Sequence, residues 1–129
     1  MAQVTIIGLV ATTPRHITTV EGIPITSFRF VETKGNTSNW YTATAFNALA
    51  INAKASISKG DRIIVVGEIN VRDWDNGERS GTSVELEAIA LGHDQSFGSS
   101  VFTRTSWNGN TIADPSTLKD TGEEEGNEN

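Results

Sequence analysis

A tryptophan stands in one of the most polar stretches of the chain, NVRDWDNGERSG, residues 70–81. If this stretch continues a β-strand, side chains alternate between two faces, and Trp74 shares its face with Arg72, Asn70 and Glu68. A large ring beside a guanidinium can stack on an unpaired nucleobase while the cation contacts a phosphate. The pairing therefore predicts a binding surface rather than a packing contact.

Two further aromatic residues share a mixed face in the segment NWYTATAF. Trp40 and Phe46 alternate with a tyrosine and two alanines, so they lie on the side that carries the threonines. Arg29 stands between the two phenylalanines of SFRF and faces away from them, which predicts that the phenylalanines lie in the core. Every unpaired base has a π-face, so stacking tolerates any sequence and contributes about 1–3 kcal/mol per base. Single-stranded nucleic acid therefore fits these residues better than a duplex does.

Other roles for the same rings stay open at this point. In a structural role, Trp40 and Phe46 close the two ends of a barrel and Trp74 covers an apolar edge. A protein-interaction module would instead dock a peptide on Trp40 and Trp74, since a fold does not determine a function. An RNA-binding protein would use the same rings on RNA. Salt dependence, tryptophan fluorescence and competition between DNA and RNA separate these alternatives.

Residues suited to catalysis are scarce. His16 and His93 are the two histidines, and neither has the spacing of a metal ligand. The chain has no cysteine, and it contains no P-loop, dinucleotide-binding glycine pattern, HExxH motif or paired-carboxylate motif. Asp73 and Asp75 flank Trp74, but two acids at this spacing are a weak indication of a cation site. The sequence therefore predicts no catalysis, no obligatory metal and no cofactor.

The charge of the chain is unevenly distributed. Its formal net charge of -6 argues, taken alone, against a phosphate-bearing partner. Residues 1–105 hold nine Lys and Arg against ten Asp and Glu, a net of -1, whereas residues 106–129 hold one Lys and six acids, a net of -5. The second segment is rich in Gly, Asn, Ser and Thr, which predicts a disordered acidic tail after one domain at 1–105. The predicted domain itself is close to neutral.

The N-terminal segment MAQVTIIGLV has neither a basic region nor a small-residue cleavage site. No apolar run approaches the roughly 20 residues that cross a bilayer. The absence of cysteine fits a reducing compartment. We therefore expect a cytoplasmic protein that does not contact a membrane.

Five apolar runs between turn signals predict five strands, namely QVTIIGLV, PITSFRFVE, NWYTATAF, RIIVVGEINVRDW and SVELEAIALG. The dipeptide Asn76-Gly77 predicts a hairpin between the last two. Gly8 and Gly67 lie inside strand patterns, where a small barrel needs bends or close backbone approach.

A helix is predicted between the third and fourth strands. The alanine-rich residues 47–61 have a plausible N-cap at Asn47 and an end at Lys59-Gly60. This order of elements predicts an all-β OB-fold, a five-stranded Greek-key barrel with one helix between strands three and four.

These segments resemble the bacterial single-stranded DNA-binding protein family over about residues 3–105. The opening VTIIGLVATTPRHITTVEGIPITSFRF resembles the first hairpin of the family. NWYTATAFNALAINAKASISKGDRIIVVGEINVRDW resembles its most recognisable stretch, in which aromatic residues open and close a strand, a helix ends in Lys-Gly, and a strand runs through glycine into an Arg-rich aromatic segment. ALGHDQSFGSSVF resembles the closing segment of actinobacterial members.

The resemblance implies a protein that binds and protects single-stranded DNA during replication, recombination or repair, and that is associated with the nucleoid. It implies base stacking on Trp40, Phe46 and Trp74, and backbone contacts from Arg72 and Arg29. Four further cationic residues are candidates for contacts with the DNA backbone, namely Arg79, on the predicted hairpin arm, and Lys54, Lys59 and Arg62. For each of them the alternative is an ordinary solvated charge.

The chain also departs from the family pattern. Its TKGNTSN loop is short where many relatives carry a longer arm with another aromatic residue, which predicts a smaller binding path. Glu68, Asp73 and Asp75 lie near the proposed groove and should weaken phosphate contacts. The sequence ends in EEEGNEN, without the hydrophobic dipeptide that docks repair and replication enzymes in typical members. Recruitment of those partners is therefore in doubt, which favours a specialised paralogue or a plasmid- or phage-borne copy.

Assembly is a further implication of the resemblance. Family members are commonly homotetramers built as dimers of dimers, so we expect a homotetramer, with a dimer as the alternative. Tyr41 occupies a position at which many relatives carry a histidine involved in assembly.

Overall fold

The computed structural model describes residues 2–105. These residues form six strands and one helix, in the order β1 Gln3–Val10, β2 Arg15–Thr18, β3 Pro24–Lys34, β4 Thr37–Phe46, α1 Asn47–Ser56, β5 Arg62–Asp75 and β6 Ser80–His93. The predicted strands correspond to β1, β3, β4, β5 and β6, and the helix lies between β4 and β5 as expected. The predicted tail at 106–129 lies outside the described residues.

Five of the strands close into a ring of hydrogen-bonded pairs. β1 pairs with β5, β5 with β6, β6 with β4 in parallel, and β4 with β3. The end of β1 then returns to β3, where Leu9 pairs with Val31 and Val10 with Phe30. Closure into a barrel removes the exposed strand edges that an open sheet would present. The OB-fold prediction is confirmed.

The short strand β2 is an element that the sequence pattern did not predict. It pairs with the start of β3, with His16 opposite Thr26. The Thr26 hydroxyl is buried and donates to the Ala50 carbonyl at 2.7 Å, so its oxygen accepts from Nδ1 of His16, also at 2.7 Å. This chain of bonds ties β2, β3 and α1 together. RHIT gives little apolar alternation, so its pairing depends on β3.

The barrel core includes the phenylalanines of β3, which the alternation pattern had placed inward. Large phenylalanines of β3 face small alanines of β4, and the alanines of α1 cover one side of this layer. Matching large with small side chains lets neighbouring elements approach closely while filling space. The buried apolar residues are Ile6, Val10, Phe28, Phe30, Ala43, Ala45, Ala50, Ala53, Ile57, Ile63, Val65, Leu86 and Ala88.

Tyr41 also belongs to the inner layer of the protomer. Its ring stacks on Phe30 with centroids 5.4 Å apart, and its hydroxyl donates to Glu32 at 3.3 Å. Partial burial and the negative charge of Glu32 raise the pKa of the Tyr41 hydroxyl above its ordinary value.

Two strand glycines allow backbones to approach closely. A Cβ atom on Gly8 would lie 2.6 Å from the Val31 carbonyl oxygen, and one on Gly67 would lie 2.6 Å from that of Glu87. Gly67 also adjoins an irregularity, because β5 and β6 change register between Val66 and Gly67. The predicted reason for both glycines, close backbone approach in a small barrel, is therefore supported.

The predicted end of the helix was wrong, and its start differs from the prediction by one residue. Phe46 is the N-cap residue, with extended backbone and no side-chain capping bond, and Asn47 is the first helical residue. The chain passes directly from β4 into α1, and it changes direction at Asn47, which has a φ of 61°. Asparagine tolerates this left-handed region better than most residues do.

At its other end the helix stops at Ser56, before the predicted Lys59-Gly60. Ile57 returns to extended backbone, and its side chain is buried in the core. Gly60 does have a positive φ, of 94°, but in the turn that leads to β5. The ten-residue α1 is short, and none of the helices in residues 2–105 has the length and apolar character needed to cross a membrane.

Asp61 and His93 join the beginning of β5 to the end of β6. His93 Nε2 lies 2.9 Å from Asp61 Oδ2, which also accepts the backbone N–H of Ser58 at 2.9 Å. Partial burial raises the pKa of the Asp61 carboxyl, but the Ser58 N–H and the His93 ring outweigh it and hold the pKa below its ordinary value of 3.8. His93 therefore has a structural partner.

Asp61→Asn is expected to lower the free energy of unfolding at neutral pH. The difference from wild type is expected to become smaller as the pH falls into the acid range. Because the folded-state pKa is depressed, the charged carboxyl stabilises the fold fully above pH 3.8 and loses this effect as the pH falls through the folded-state value. Urea unfolding of wild type and variant from neutral to acidic pH measures the difference. A difference that grows as the pH falls would contradict this assignment.

Candidate nucleic-acid interface

Four of the predicted site residues lie on one outer face of the barrel and its hairpin. They lie on β3, β4 and β5, and β6 joins β4 to β5, since Arg29 pairs with Thr42, Thr42 with Glu85, and Glu85 with Asn70. Trp40 lies two residues from Thr42 on the same face of β4, and β5 continues on the same face into Arg72 and Trp74. We call these four residues, Arg29, Trp40, Arg72 and Trp74, the aromatic–arginine face.

Trp40 is held beside a cation of its own chain. The guanidinium carbon of Arg29 lies 4.7 Å from the centroid of the Trp40 ring. Such a cation–π contact contributes about 0.5–1 kcal/mol at an exposed site. Trp40 nevertheless stays 46% exposed. The pair thus presents a half-exposed indole with a positive charge over one of its faces.

Trp74 lies on the arm that β5 and β6 extend beyond the barrel. All residues from 70 to 80 are exposed, and Trp74 itself retains 42% of its surface. Its cross-strand partner is Gly81. An open hollow beside the ring is lined by Asp73, Asp75, Ser80, Gly81 and Thr82. The ring is therefore accessible to a flat ligand.

Side-chain hydrogen bonds hold the tip of this arm, and the predicted Asn76-Gly77 hairpin is confirmed. Asn76 Oδ1 accepts the backbone N–H groups of Glu78 and Arg79 at 3.1 and 2.8 Å, and Gly77 has a φ of 93°. The acids beside Trp74 take part in the same structure. Asp75 accepts the Gly77 N–H at 2.9 Å, and Asp73 accepts the hydroxyl of Thr82 at 2.9 Å. Asp73 and Asp75 thus stabilise the arm.

Arg72 is paired with an acid near the middle of the face. Its Nη2 lies 3.4 Å from Glu85 Oε1, and the Glu85 side chain is 31% exposed. In the next row of the sheet Glu68 and Glu87 lie directly opposite one another. Sequence reasoning identified Glu68 but missed Glu85 and Glu87. The alternation of SVELEAIALG, with Leu86 and the alanine at 88 inward, would have placed both acids outward.

Phe46 does not join the aromatic–arginine face. It follows Trp40 by six positions on the same side of β4, which corresponds to about 20 Å along the strand. Its partner across the sheet is Ile25, and it is half-buried where the strand meets α1. A ligand contacting both Trp40 and Phe46 would have to follow the strand past Thr42 and Thr44.

The remaining cationic candidates are dispersed. Arg79 lies exposed at the tip of the hairpin arm, in the neighbourhood of Trp74. Arg62 begins β5, ten positions before Arg72, where it pairs with Asp94 at 3.4 Å and stacks over the Phe97 ring at 5.1 Å. Two exposed lysines stand elsewhere, Lys54 on α1 and Lys59 in the turn that follows it.

The described residues contain no candidate metal site. Among residues 2–105, no group of three or more histidine and acidic side chains could hold a metal ion. Asp94 is engaged by Ser96, whose hydroxyl and backbone N–H are the main reason that the pKa of its carboxyl is lowered, and more weakly by Arg62. The exposed aromatic surface is therefore the feature most suited to bind a ligand.

Comparisons with known proteins point to one family. Residues 1–92 match the single-strand binding protein family. Single-stranded DNA-binding protein 2 of Tropheryma whipplei is 44% identical over 116 residues, which cover 81% of this chain and 76% of that protein. Single-stranded DNA-binding protein 1 of Streptomyces coelicolor is 35% identical over 111 residues, covering 77% of this chain and 70% of that protein.

Solved structures show the same relationship in three dimensions. The small single-stranded DNA-binding protein of Streptomyces coelicolor superimposes with a TM-score of 0.70 at 32% identity, covering 75% of this chain and 97% of that chain. These organisms are actinobacteria, the group whose closing segment the sequence resembles. From the match over residues 1–92 and from these relatives, the chain belongs to the single-strand binding protein family.

Proposed function

We propose that this protein binds single-stranded DNA without catalysis and with little dependence on base sequence. The observation that carries the proposal is the aromatic–arginine face, where two half-exposed indoles lie on one surface, each with an arginine nearby. Bases stack on Trp40 and Trp74, and Arg29 and Arg72 contact the phosphates. The relatives named as single-stranded DNA-binding proteins support the same ligand.

Single strands fit this surface better than a duplex for a physical reason. In a duplex the base faces are covered by neighbouring bases, whereas an unpaired strand can turn its bases onto the indoles. A DNA strand that continues along the hairpin arm meets Arg79, and a DNA strand that continues along β4 reaches Phe46. The other candidates lie further from the aromatic–arginine face, namely Lys54, Lys59 and Arg62. We assign them to contacts with single-stranded DNA that wraps around the barrel.

A fluorescence titration tests the proposal. The full chain is titrated with oligo-dT at low and moderate salt, with a duplex of equal length as the control and an RNA strand of matched sequence as competitor. We expect strong quenching of tryptophan emission by the single strand, weak quenching by the duplex, and affinity that falls with salt. No response to the single strand would favour the protein-interaction module, and stronger competition by RNA would favour the RNA-binding alternative.

Glu85→Gln is expected to raise affinity for single-stranded DNA about two- to fivefold at low salt, since it frees Arg72 for a phosphate and removes a repelling charge. Glu21→Gln is the matched control, because Glu21 is an exposed acid in the turn between β2 and β3. Arg72→Gln should lower affinity and reduce the slope of log K against log salt by about 1. An equal gain from Glu21→Gln would show that total charge alone, and not the pair with Arg72, sets the affinity.

We further propose a homotetramer, with a dimer as the alternative, that protects DNA during replication, recombination or repair at the nucleoid in the cytoplasm. The family supports this assignment, and light scattering on the purified full chain with and without oligo-dT measures the mass directly.

A further inference from the structure

Gly81 faces Trp74 directly across the β5–β6 hairpin. A Cβ atom added to Gly81 would lie 2.9 Å from Cζ2, 3.1 Å from Cε2 and 3.2 Å from Nε1 of the indole. Carbon atoms in proteins do not pack at the shortest of these distances. The indole therefore occupies the space in which a side chain at position 81 would stand.

The backbone conformation does not explain a glycine at this position. Positive φ values occur at Gly22, Gly35, Gly60 and Gly77, and Gly81 is not among them. The backbone of Gly81 therefore does not require glycine, and strands ordinarily disfavour it.

Close approach of two backbones does not explain it either. At Gly8 and Gly67 the atom nearest to an added Cβ is a carbonyl oxygen, whereas at Gly81 the three nearest atoms all belong to the Trp74 side chain. The residue that a side chain at position 81 would meet first is thus Trp74.

We propose that Gly81 is a positioning residue of the aromatic–arginine face, because its missing side chain lets the Trp74 indole rest against β6 in a defined orientation. An exposed indole on a free arm would sample several rotamers, and a base would have to stop that motion when it stacks. An indole already held against β6 avoids part of this entropic cost. The inference rests on the proposed function, since it concerns how Trp74 meets a base.

Substitution at Gly81 should displace the ring and leave the barrel intact. The obstructing atoms belong to the far end of a rotatable side chain, so the indole can move away from a new methyl group without moving the strand. Gly92, on the same strand, is the matched control, because it is exposed and has no atom within 4 Å of an added Cβ.

The experiment compares Gly81→Ala and Gly92→Ala in the full chain. The indole N–H resonance of Trp74, assigned by its loss in Trp74→Phe, is expected to shift in Gly81→Ala and to stay in place in Gly92→Ala. Affinity for oligo-dT should fall about three- to tenfold in Gly81→Ala, a part of what one stacked base contributes. In a Trp74→Ala background, Gly81→Ala should change affinity by less than about twofold, because the two residues act as a unit.

Two results would overturn the role of Gly81 while leaving the proposed function in place. In the first, Trp74→Ala weakens binding, but Gly81→Ala behaves like Gly92→Ala in both affinity and resonance position. In the second, Gly81→Ala weakens binding equally with and without Trp74. If Trp74→Ala itself leaves affinity unchanged, stacking on Trp74 fails, and the role of Gly81 fails with it.

Discussion

Trp74→Ala is expected to reduce the affinity for oligo-dT by about 5- to 150-fold, the equivalent of one lost stacking interaction of about 1–3 kcal/mol. The indole is 42% exposed on an arm outside the barrel, so its removal takes away a ligand contact and little core packing. Titration at fixed salt measures the loss, and circular dichroism with thermal unfolding checks that the barrel remains folded.

Val71→Ala provides the matched control for this experiment. Val71 is 59% exposed on the same strand but alternates to the opposite face from Trp74. It should leave affinity for oligo-dT within about twofold of wild type, as surface substitutions away from a binding site usually do. Equal affinities for wild type, Trp74→Ala and Val71→Ala, with all three folded, would remove Trp74 from the binding surface and return it to the structural alternative.

Gly67→Ala is expected to lower the free energy of unfolding by about 1–3 kcal/mol, the usual cost of overpacking a filled core. The added Cβ would lie 2.6 Å from the Glu87 carbonyl oxygen, so β5 and β6 must separate or bend. In a domain of this size the change lowers the melting temperature by about 4–8 °C for each kcal/mol. Thermal unfolding at one fixed protein concentration measures it, since assembly would make the melting temperature depend on concentration.

Gly92→Ala is the control here as well. Both substitutions add one methyl group to a strand glycine and remove the same backbone freedom from the unfolded chain, which alone would stabilise the fold by about 0.4–1 kcal/mol. Only Gly67 has a backbone oxygen in the way. If the two variants melt at the same temperature, the close approach of β5 and β6 at Gly67 is not a constraint on the sequence.

Side-chain alternation was enough to separate the core from the outer face. Phe28, Phe30, Ala43 and Ala45 are buried as expected, and the arginine between the two phenylalanines faces outward. The rule succeeds because successive side chains of an extended backbone point to opposite sides whatever the strand pairs with. The hairpin at Asn76-Gly77 was predictable for a similar local reason, since Gly77 accepts a positive φ and the Asn76 side chain bonds to the backbone of its own turn.

The helix ends were less predictable because they depend on packing. Ile57 leaves the helix early so that its side chain can enter the core, and Gly60 serves the next turn instead of closing α1. The short strand β2 is a further example, since it forms on β3 with His16 bonded to buried Thr26. Such choices are made by partners distant in the chain, which a local pattern does not contain.

The sequence alone determined the residue types and the face of each strand on which they lie. It therefore placed the indoles of Trp40 and Trp74 outward, and it marked the two glycines at which backbones approach closely. Which of the candidates meet was decided by the tertiary structure. Strand register brings Arg29 over the ring of Trp40 and places Glu85 against Arg72, while it leaves Phe46 about 20 Å along β4 from Trp40. The physical reason is that alternation is a property of one extended chain, whereas register and barrel closure arise from hydrogen bonds between strands far apart in sequence.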